Sequence, residues 1–98
     1  MKIRGRVDNN HKEIVDGLRQ RGISVRSTAG LGQGFPDIIC GYKGFNFLFE
    51  IKSDEKAKLT KAEFEFFGSW SGQVHRINNL DEAVKIINDK IYYSIKFC

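Results

Sequence analysis

The chain has no apolar run approaching the roughly 20 residues of a membrane-spanning helix, which argues against a membrane protein. Its first ten residues, MKIRGRVDNN, lack the apolar segment of a secretory signal, so the chain is expected in the cytoplasm. Only two cysteines are present, Cys40 in an expected strand and Cys98 at the last position. Two such residues do not make a disulfide framework. Neither stands at metal-site spacing from a histidine, which argues against zinc. Proline occurs once, as Pro36. Repeats, low-complexity tracts and linkers are absent, so residues 1–98 are expected to form a single domain, burying about 65% of the unfolded chain's surface.

What is present is ordinary in bulk: 41% hydrophobic and 29% charged residues describe a soluble globular protein. The net charge of +4 permits a polyanionic partner without requiring one. The basic residues fall in groups, Lys2, Arg4 and Arg6, then Arg19, Arg21 and Arg26, then Lys56, Lys58 and Lys61. Such groups are either simply solvated or face a phosphate backbone.

A first helix is expected from Asp8–Asn10, which are good N-caps, to Gly22. Its apolar stripe is Ile14, Val15 and Leu18, with His11 on the same face. Ile23 to Ser27 alternates like a short strand, and the glycine-rich stretch up to Pro36 reads as a mobile loop. Thr60 and Glu63 form a capping box for a second helix carrying Phe64, Phe67 and Trp70. Leu59 and Phe64 occupy hydrophobic-staple positions. Gln73 to Ile77 reads as a strand, and Asn79 caps a third helix with Leu80, Ala83, Val84 and Ile87 inward. The tail IYYSIKFC is β-prone and is expected to be an edge or interface strand. The order implies a small α/β sandwich around a mixed sheet flanked by helices.

The most informative stretch is GFPDIICGYKGFNFLFEIKS, residues 34 to 53, an apolar hairpin with Asp37 at its start and Glu50 and Lys52 at its end. Alternation puts Phe45, Phe47, Phe49 and Ile51 on one face, and Asn46, Leu48, Glu50 and Lys52 on the other. A two-residue turn at Lys43–Gly44 sets Tyr42 opposite Phe45, Ile39 opposite Leu48 and Asp37 opposite Glu50. Two opposed carboxylates repel unless a positive charge lies between them. A salt-bridge cluster with Lys52 is one reading. A divalent cation is the other, since hard oxygen ligands with open positions suit magnesium. A lysine beside such an ion can help activate water and steady charge on a phosphate, which points to hydrolysis of a phosphodiester.

Pro36-Asp37, followed after twelve residues by Glu50-Ile51-Lys52, resembles the PD-(D/E)xK signature of metal-dependent nucleases. Further residues narrow the likeness: Leu18-Arg19-Gln20-Arg21-Gly22 closing the first helix, Gly34-Phe35-Pro36-Asp37, Leu59-Thr60-Lys61-Ala62-Glu63, the Val-His-Arg-Ile strand and Asn79-Leu80-Asp81-Glu82-Ala83. Over residues 8 to 90 the chain resembles the VRR-NUC family, in particular its minimal stand-alone members from phages and bacteria. Archaeal Holliday-junction resolvases share much of the layout.

The resemblance implies a restriction-endonuclease-like core and an Mg2+- or Mn2+-dependent endonuclease acting on DNA, in particular branched DNA such as four-way junctions. The setting it implies is the cytoplasm of a bacterial or phage-infected host cell. Asp37, Glu50 and the Ile51 carbonyl would hold the metal, and Lys52 would position or activate the attacking water. The chain departs from the family at His11, where a helix glutamate is usual, and at Glu63, where glutamine is common. Histidine can hold a metal or its water through a neutral nitrogen and favours manganese over magnesium. It can equally be a packing residue, with Asp8 a weaker candidate for the same place. Glu63 serves either as a capping residue alone or in support of Lys52.

DNA contacts are expected from Arg26, from backbone N–H groups at Gly32 and Gly34, and from Lys56, Lys58 and Lys61. Stand-alone relatives are dimeric, and a homodimer would present two sites to a junction. Phe66, Tyr92, Tyr93, Ile95 and Phe97 would serve either that interface or a single core. The alternative function is a non-catalytic nucleic-acid-binding module on a nuclease fold.

Overall fold

A computed structural model of the chain describes residues 2–96, with side chains from Asn10 onward. The side chain of Asp8 and all of Phe97 and Cys98 lie outside it. The elements are α1 (Lys2–Gln20), β1 (Ser24–Ser27), a short 3-10 turn (Ala29–Leu31), β2 (Ile38–Tyr42), β3 (Phe45–Ile51), α2 (Lys61–Ser69), β4 (Val74–Ile77) and α3 (Leu80–Lys96). The four strands form one sheet in the order β1-β2-β3-β4. The first three are antiparallel and β4 runs parallel to β3, as a mixed sheet requires.

The hairpin register is the expected one, Tyr42 opposite Phe45 through Ile38 opposite Phe49. Its turn holds Lys43 at φ 50° and Gly44 at φ 87°. Positive φ at both central residues matches the right-handed twist of the flanking strands, and this fixes the register locally. The alternation then sorts the side chains. Phe47, Phe49 and Ile51 join Val25, Ile38, Cys40 and Ile77 under Ile14 and Leu18 of α1 and Ala83 and Ile87 of α3. Each fully buried aromatic contributes roughly 1.5–3 kcal/mol of transfer free energy. The two helices meet closely because Gly17 has no side chain to obstruct Leu80. Burial pushes the Cys40 thiol up to about 12, so it packs as an inert apolar group.

α1 ends as its sequence indicates. Gly22 (φ 80°) donates to Arg19 O, and Ile23 donates to Leu18 O. This is the paired-bond C-cap with Leu18 and Ile23 as its hydrophobic contact. Its start differs: the helix runs from Lys2, upstream of the expected cap at Asp8–Asn10. Asn79 caps α3 through its Oδ1, which accepts from the Glu82 N–H at 2.9 Å.

The tail is a correction. Residues 91–96 are helix, not strand, and the sheet has four strands among the described residues. Ile91 continues the Ile87 face and packs against the core. Packing at helical spacing outweighs the weak β-propensity of Ile, Tyr and Tyr. Tyr92, Tyr93 and Ile95 stand exposed.

α2 differs in its contacts as well. Phe64 is 70% exposed and no α2 residue is buried. The helix is held instead by an aromatic cluster: Phe66 stacks on Trp70 at 4.9 Å, and Phe35 meets both edge-on at 5.1 and 6.0 Å. Gly34 (φ 78°) approaches so closely that a Cβ there would strike the Ala62 carbonyl. None of the helices is long and apolar enough to cross a membrane among the described residues.

Candidate active site

The far face of the hairpin carries the candidate residues. Leu48 is buried there, and so is Glu50, only 3% exposed. Asp37 sits just before β2, and its N–H donates to Phe49 O at 3.0 Å, one residue off the continuing ladder. Its carboxylate turns inward and Oδ2 accepts the Ile51 N–H at 2.7 Å. Thr28 fixes this approach from the neighbouring loop. Its hydroxyl donates to Pro36 O at 2.6 Å, and its N–H donates to Asp37 O at 2.9 Å. The hairpin therefore brings Asp37 and Glu50 together, with Asp37 bonded to the Glu50-Ile51 backbone rather than lying as a plain ladder partner.

Lys52 follows the strand, its N–H bonded to Ile77 O. Its ammonium lies 3.5 Å from Glu50 Oε2 and 2.7 Å from Glu63 Oε1. The capping box at Thr60 is complete: Thr60 Oγ1 accepts from Glu63 N–H at 3.1 Å, and Glu63 Oε1 accepts from Thr60 N–H at 2.8 Å. One oxygen of Glu63 thus serves the helix cap and the lysine at once. The two roles weighed for this residue coexist.

The electrostatics follow from this geometry. Burial, the charge of Asp37 and the charge of Glu63 raise the Glu50 carboxyl to about 8, against a smaller downward pull from Lys52. Burial alone would lower Lys52, but its hydrogen bond and charge pairing with Glu63, joined by Glu50, outweigh that and hold it above its ordinary value. Glu63 is lowered on balance: burial raises it, and Lys52 and the Thr60 N–H more than offset this. At neutral pH Lys52 is a firm cation, Glu63 is an anion and Glu50 is mostly a neutral acid.

The donor set fits a divalent cation. Glu50 Oε1 is buried without a hydrogen-bond partner, which is costly unless something supplies one. Its carboxyl is held neutral beside a second carboxylate, a state that an added positive charge would reverse. Among the described residues no three His, Cys, Asp or Glu side chains lie grouped as a metal site. His11 instead lines, with Asp37, Arg19 and Ser27, an open cleft of about 360 Å3 between α1 and the start of β2.

The expected DNA contacts are distributed as follows. Arg26 is exposed on β1 opposite Ile39, on the same sheet face as Glu50. Lys56, Lys58 and Lys61 are exposed ahead of and at the start of α2. Gly32 is open to solvent, whereas Gly34 is a seat for α2. Two positioning residues escaped the sequence reading. Arg76 is the parallel-ladder partner of Glu50, and its guanidinium donates to Asp54 O at 2.6 Å, tying down the loop after Lys52. Asn10 Nδ2 reaches Lys52 O at 3.4 Å from α1. Neither contact is local in sequence; only the Arg in a strand otherwise half-buried hinted at the first.

No family model matches the sequence, and no curated protein matches it. A solved structure described as a VRR_NUC domain is similar, with a TM-score of 0.63, covering 85% of this chain and 95% of that one at 24% sequence identity. At that identity the likeness establishes the fold alone: an α/β arrangement with a small mixed sheet flanked by helices, as in that structure.

Proposed function

We propose that the chain is a divalent-metal-dependent endonuclease that hydrolyses phosphodiester bonds of DNA, with branched DNA as its preferred substrate. The observation that carries this is the environment of Glu50, a buried carboxyl with one unpartnered oxygen, placed between Asp37 and the Lys52 ammonium. The VRR_NUC likeness supports the fold on which this reading stands.

Asp37, Glu50 and the Ile51 carbonyl are the groups that would hold Mg2+ or Mn2+, which would supply Lewis-acid stabilisation of the charge developing on the phosphate. The chain's own residues do the rest. Lys52, kept protonated by Glu63, acts as a fixed cation and hydrogen-bond donor toward the attacking water and the phosphate oxygens, not as a base. The Ile51 N–H holds the Asp37 carboxylate in orientation. Arg26, Gly32, Lys56, Lys58 and Lys61 contact the phosphate backbone, giving sequence-independent grip. His11 forms the wall of the adjoining cleft. The exposed Tyr92 and Ile95 of α3 form the contact of a homodimer.

A second reading, a binding module without catalysis, is favoured by one observation: the 2.7 Å pairing of Lys52 with Glu63 already engages the lysine. Cleavage of four-way junction, flap, linear duplex and single-stranded DNA with each metal separates the two. Metal-dependent cutting that is strongest on branched substrates and lost in Lys52→Ala supports the nuclease. Binding without cutting under either metal leaves the module.

A further inference from the structure

A feature of α2 has no part in the chemistry described above. Phe64 is 70% exposed and Trp70 is 43% exposed, on a helix that buries no residue. Phe64 directly follows Glu63, the residue that holds Lys52 at 2.7 Å. Trp70 is anchored from below, stacked on Phe66 and met edge-on by Phe35, two residues before Asp37. Trp70 is therefore fixed against the segment that leads to Asp37, Phe64 adjoins the partner of Lys52, and both keep surface toward solvent. Gly72 makes room for the indole, since a Cβ there would press on Trp70 Nε1.

The exposed charges leading up to Phe64 are of one sign. From residue 56 to 64 the exposed charged side chains are Lys56, Lys58 and Lys61, because Glu63 is turned inward. Glu55 and Glu65 stand at the limits of this stretch. Lys61, Phe64 and Phe67 are spaced three apart, so lysine and ring share one flank of the helix. Rigid rings among cations form the surface that binds unpaired nucleotides: bases stack on the rings while ammonium groups follow the phosphates. Paired bases in duplex already stack on one another and present only their edges, so they cannot use such rings. A second copy of this chain fits the patch poorly, since it would bring two sets of lysines together on a protein of net charge +4.

We infer that Phe64 and Trp70 form a stacking platform for unpaired bases next to the scissile phosphate, directing the enzyme to single-stranded segments of its substrate. This rests on the DNA-directed reading above, but its test does not depend on cleavage. Trp70 is the chain's single tryptophan, so its fluorescence reports the platform directly. Without divalent metal, an oligothymidylate is titrated against the protein, with an abasic oligonucleotide of equal length as control. Saturable quenching by oligothymidylate is expected, with affinity at least about tenfold weaker for the abasic strand and for Phe64→Ala. Because Phe64 is exposed, Phe64→Ala should fold normally, and circular dichroism checks this.

Equal affinity for both oligonucleotides would overturn the platform in favour of phosphate contacts alone. So would a Trp70 spectrum that changes with protein concentration and not with DNA, which would assign the patch to self-association. A protein that quenches on oligothymidylate but cuts nothing keeps the platform and loses the nuclease; one that cuts without quenching does the reverse.

Discussion

Replacing Glu50 by glutamine should make the metal-free protein more stable at alkaline pH. The folded state raises this carboxyl from 4.5 to about 8, so between those values the fold binds a proton that the unfolded chain has released. Stability from this group is therefore fully present below about pH 4.5 and is lost as pH rises toward 8. At 1.36 kcal/mol per pKa unit the loss is at most about 5 kcal/mol, and roughly 3 kcal/mol once local relaxation is allowed for. Lys52 stays charged and Glu63 ionised across this window, so neither titrates in it. His75 does: burial and Lys90 lower it, so its contribution rises with pH and opposes that of Glu50. That background is common to wild type and Glu50→Gln, and the difference between them isolates Glu50. The assay is urea unfolding with chelator at about pH 5 and about pH 9. The wild type should lose stability relative to the variant by a few kcal/mol between the two. Adding Mg2+ or Mn2+ at the higher pH should restore the wild type and leave the variant unchanged, because bound cation favours the ionised carboxyl. Parallel pH profiles, or equal metal stabilisation of both proteins, would refute the argument.

Lys52→Ala should lower the cleavage rate by about 10^2-fold or more, with near-native folding by circular dichroism; a large stability loss in a wild type that never cuts would instead mark an ion-pair cluster. Gly34→Ala should cost about 2 kcal/mol or more in chemical denaturation, because φ 78° and the Ala62 carbonyl both exclude a Cβ. Thr60→Ala should cost about 1 kcal/mol through the lost cap and also loosen Glu63 on Lys52, so the cleavage rate should fall while DNA affinity holds. His11→Glu should shift the balance of activity from Mn2+ toward Mg2+ if the cleft side chain reaches the ion; an unchanged metal ratio leaves it a wall residue.

What was legible in the sequence was what local geometry decides. The Lys43–Gly44 turn fixes its own register, so the pairing of β2 with β3 as far as Ile38 and Phe49 could be counted from it, whereas Asp37 reaches the Ile51 N–H one residue off that ladder. The Thr60–Glu63 box, the Gly22 stop and the Asn79 cap are likewise contacts between near neighbours. The misses are all non-local. The β-prone tail became helix because Ile91 continues the buried face of α3. Phe64 was read as a staple partner of Leu59 and stands exposed; the wall of α2 is Phe66, chosen by Phe35 from a loop some thirty residues earlier in the chain. Arg76 could not be matched to Glu50 because a parallel crossover, unlike a hairpin, carries no local mark of its register.

The acid at position 63 couples the cap of α2 to the charges around Lys52. For capping alone, glutamine would serve, since its amide oxygen can accept the Thr60 N–H. The negative charge does something else. It accounts for much of the upward pull on Lys52 and, with Asp37, for part of the upward push on Glu50. Glu63 thus supports the charge of the lysine and adds to the burial and the Asp37 charge that keep the neighbouring carboxyl a neutral acid, with Glu50 and Glu63 both on the one ammonium. Such a group is poorly satisfied by the protein alone, as the unpartnered Glu50 oxygen shows. It is stabilised by arriving positive charge, and Lys52 can then lend its protons to a phosphate only to the extent that Glu63 gives them up. The 2.7 Å contact is therefore both the support of the proposed catalytic lysine and the interaction with which the proposed DNA substrate would have to compete.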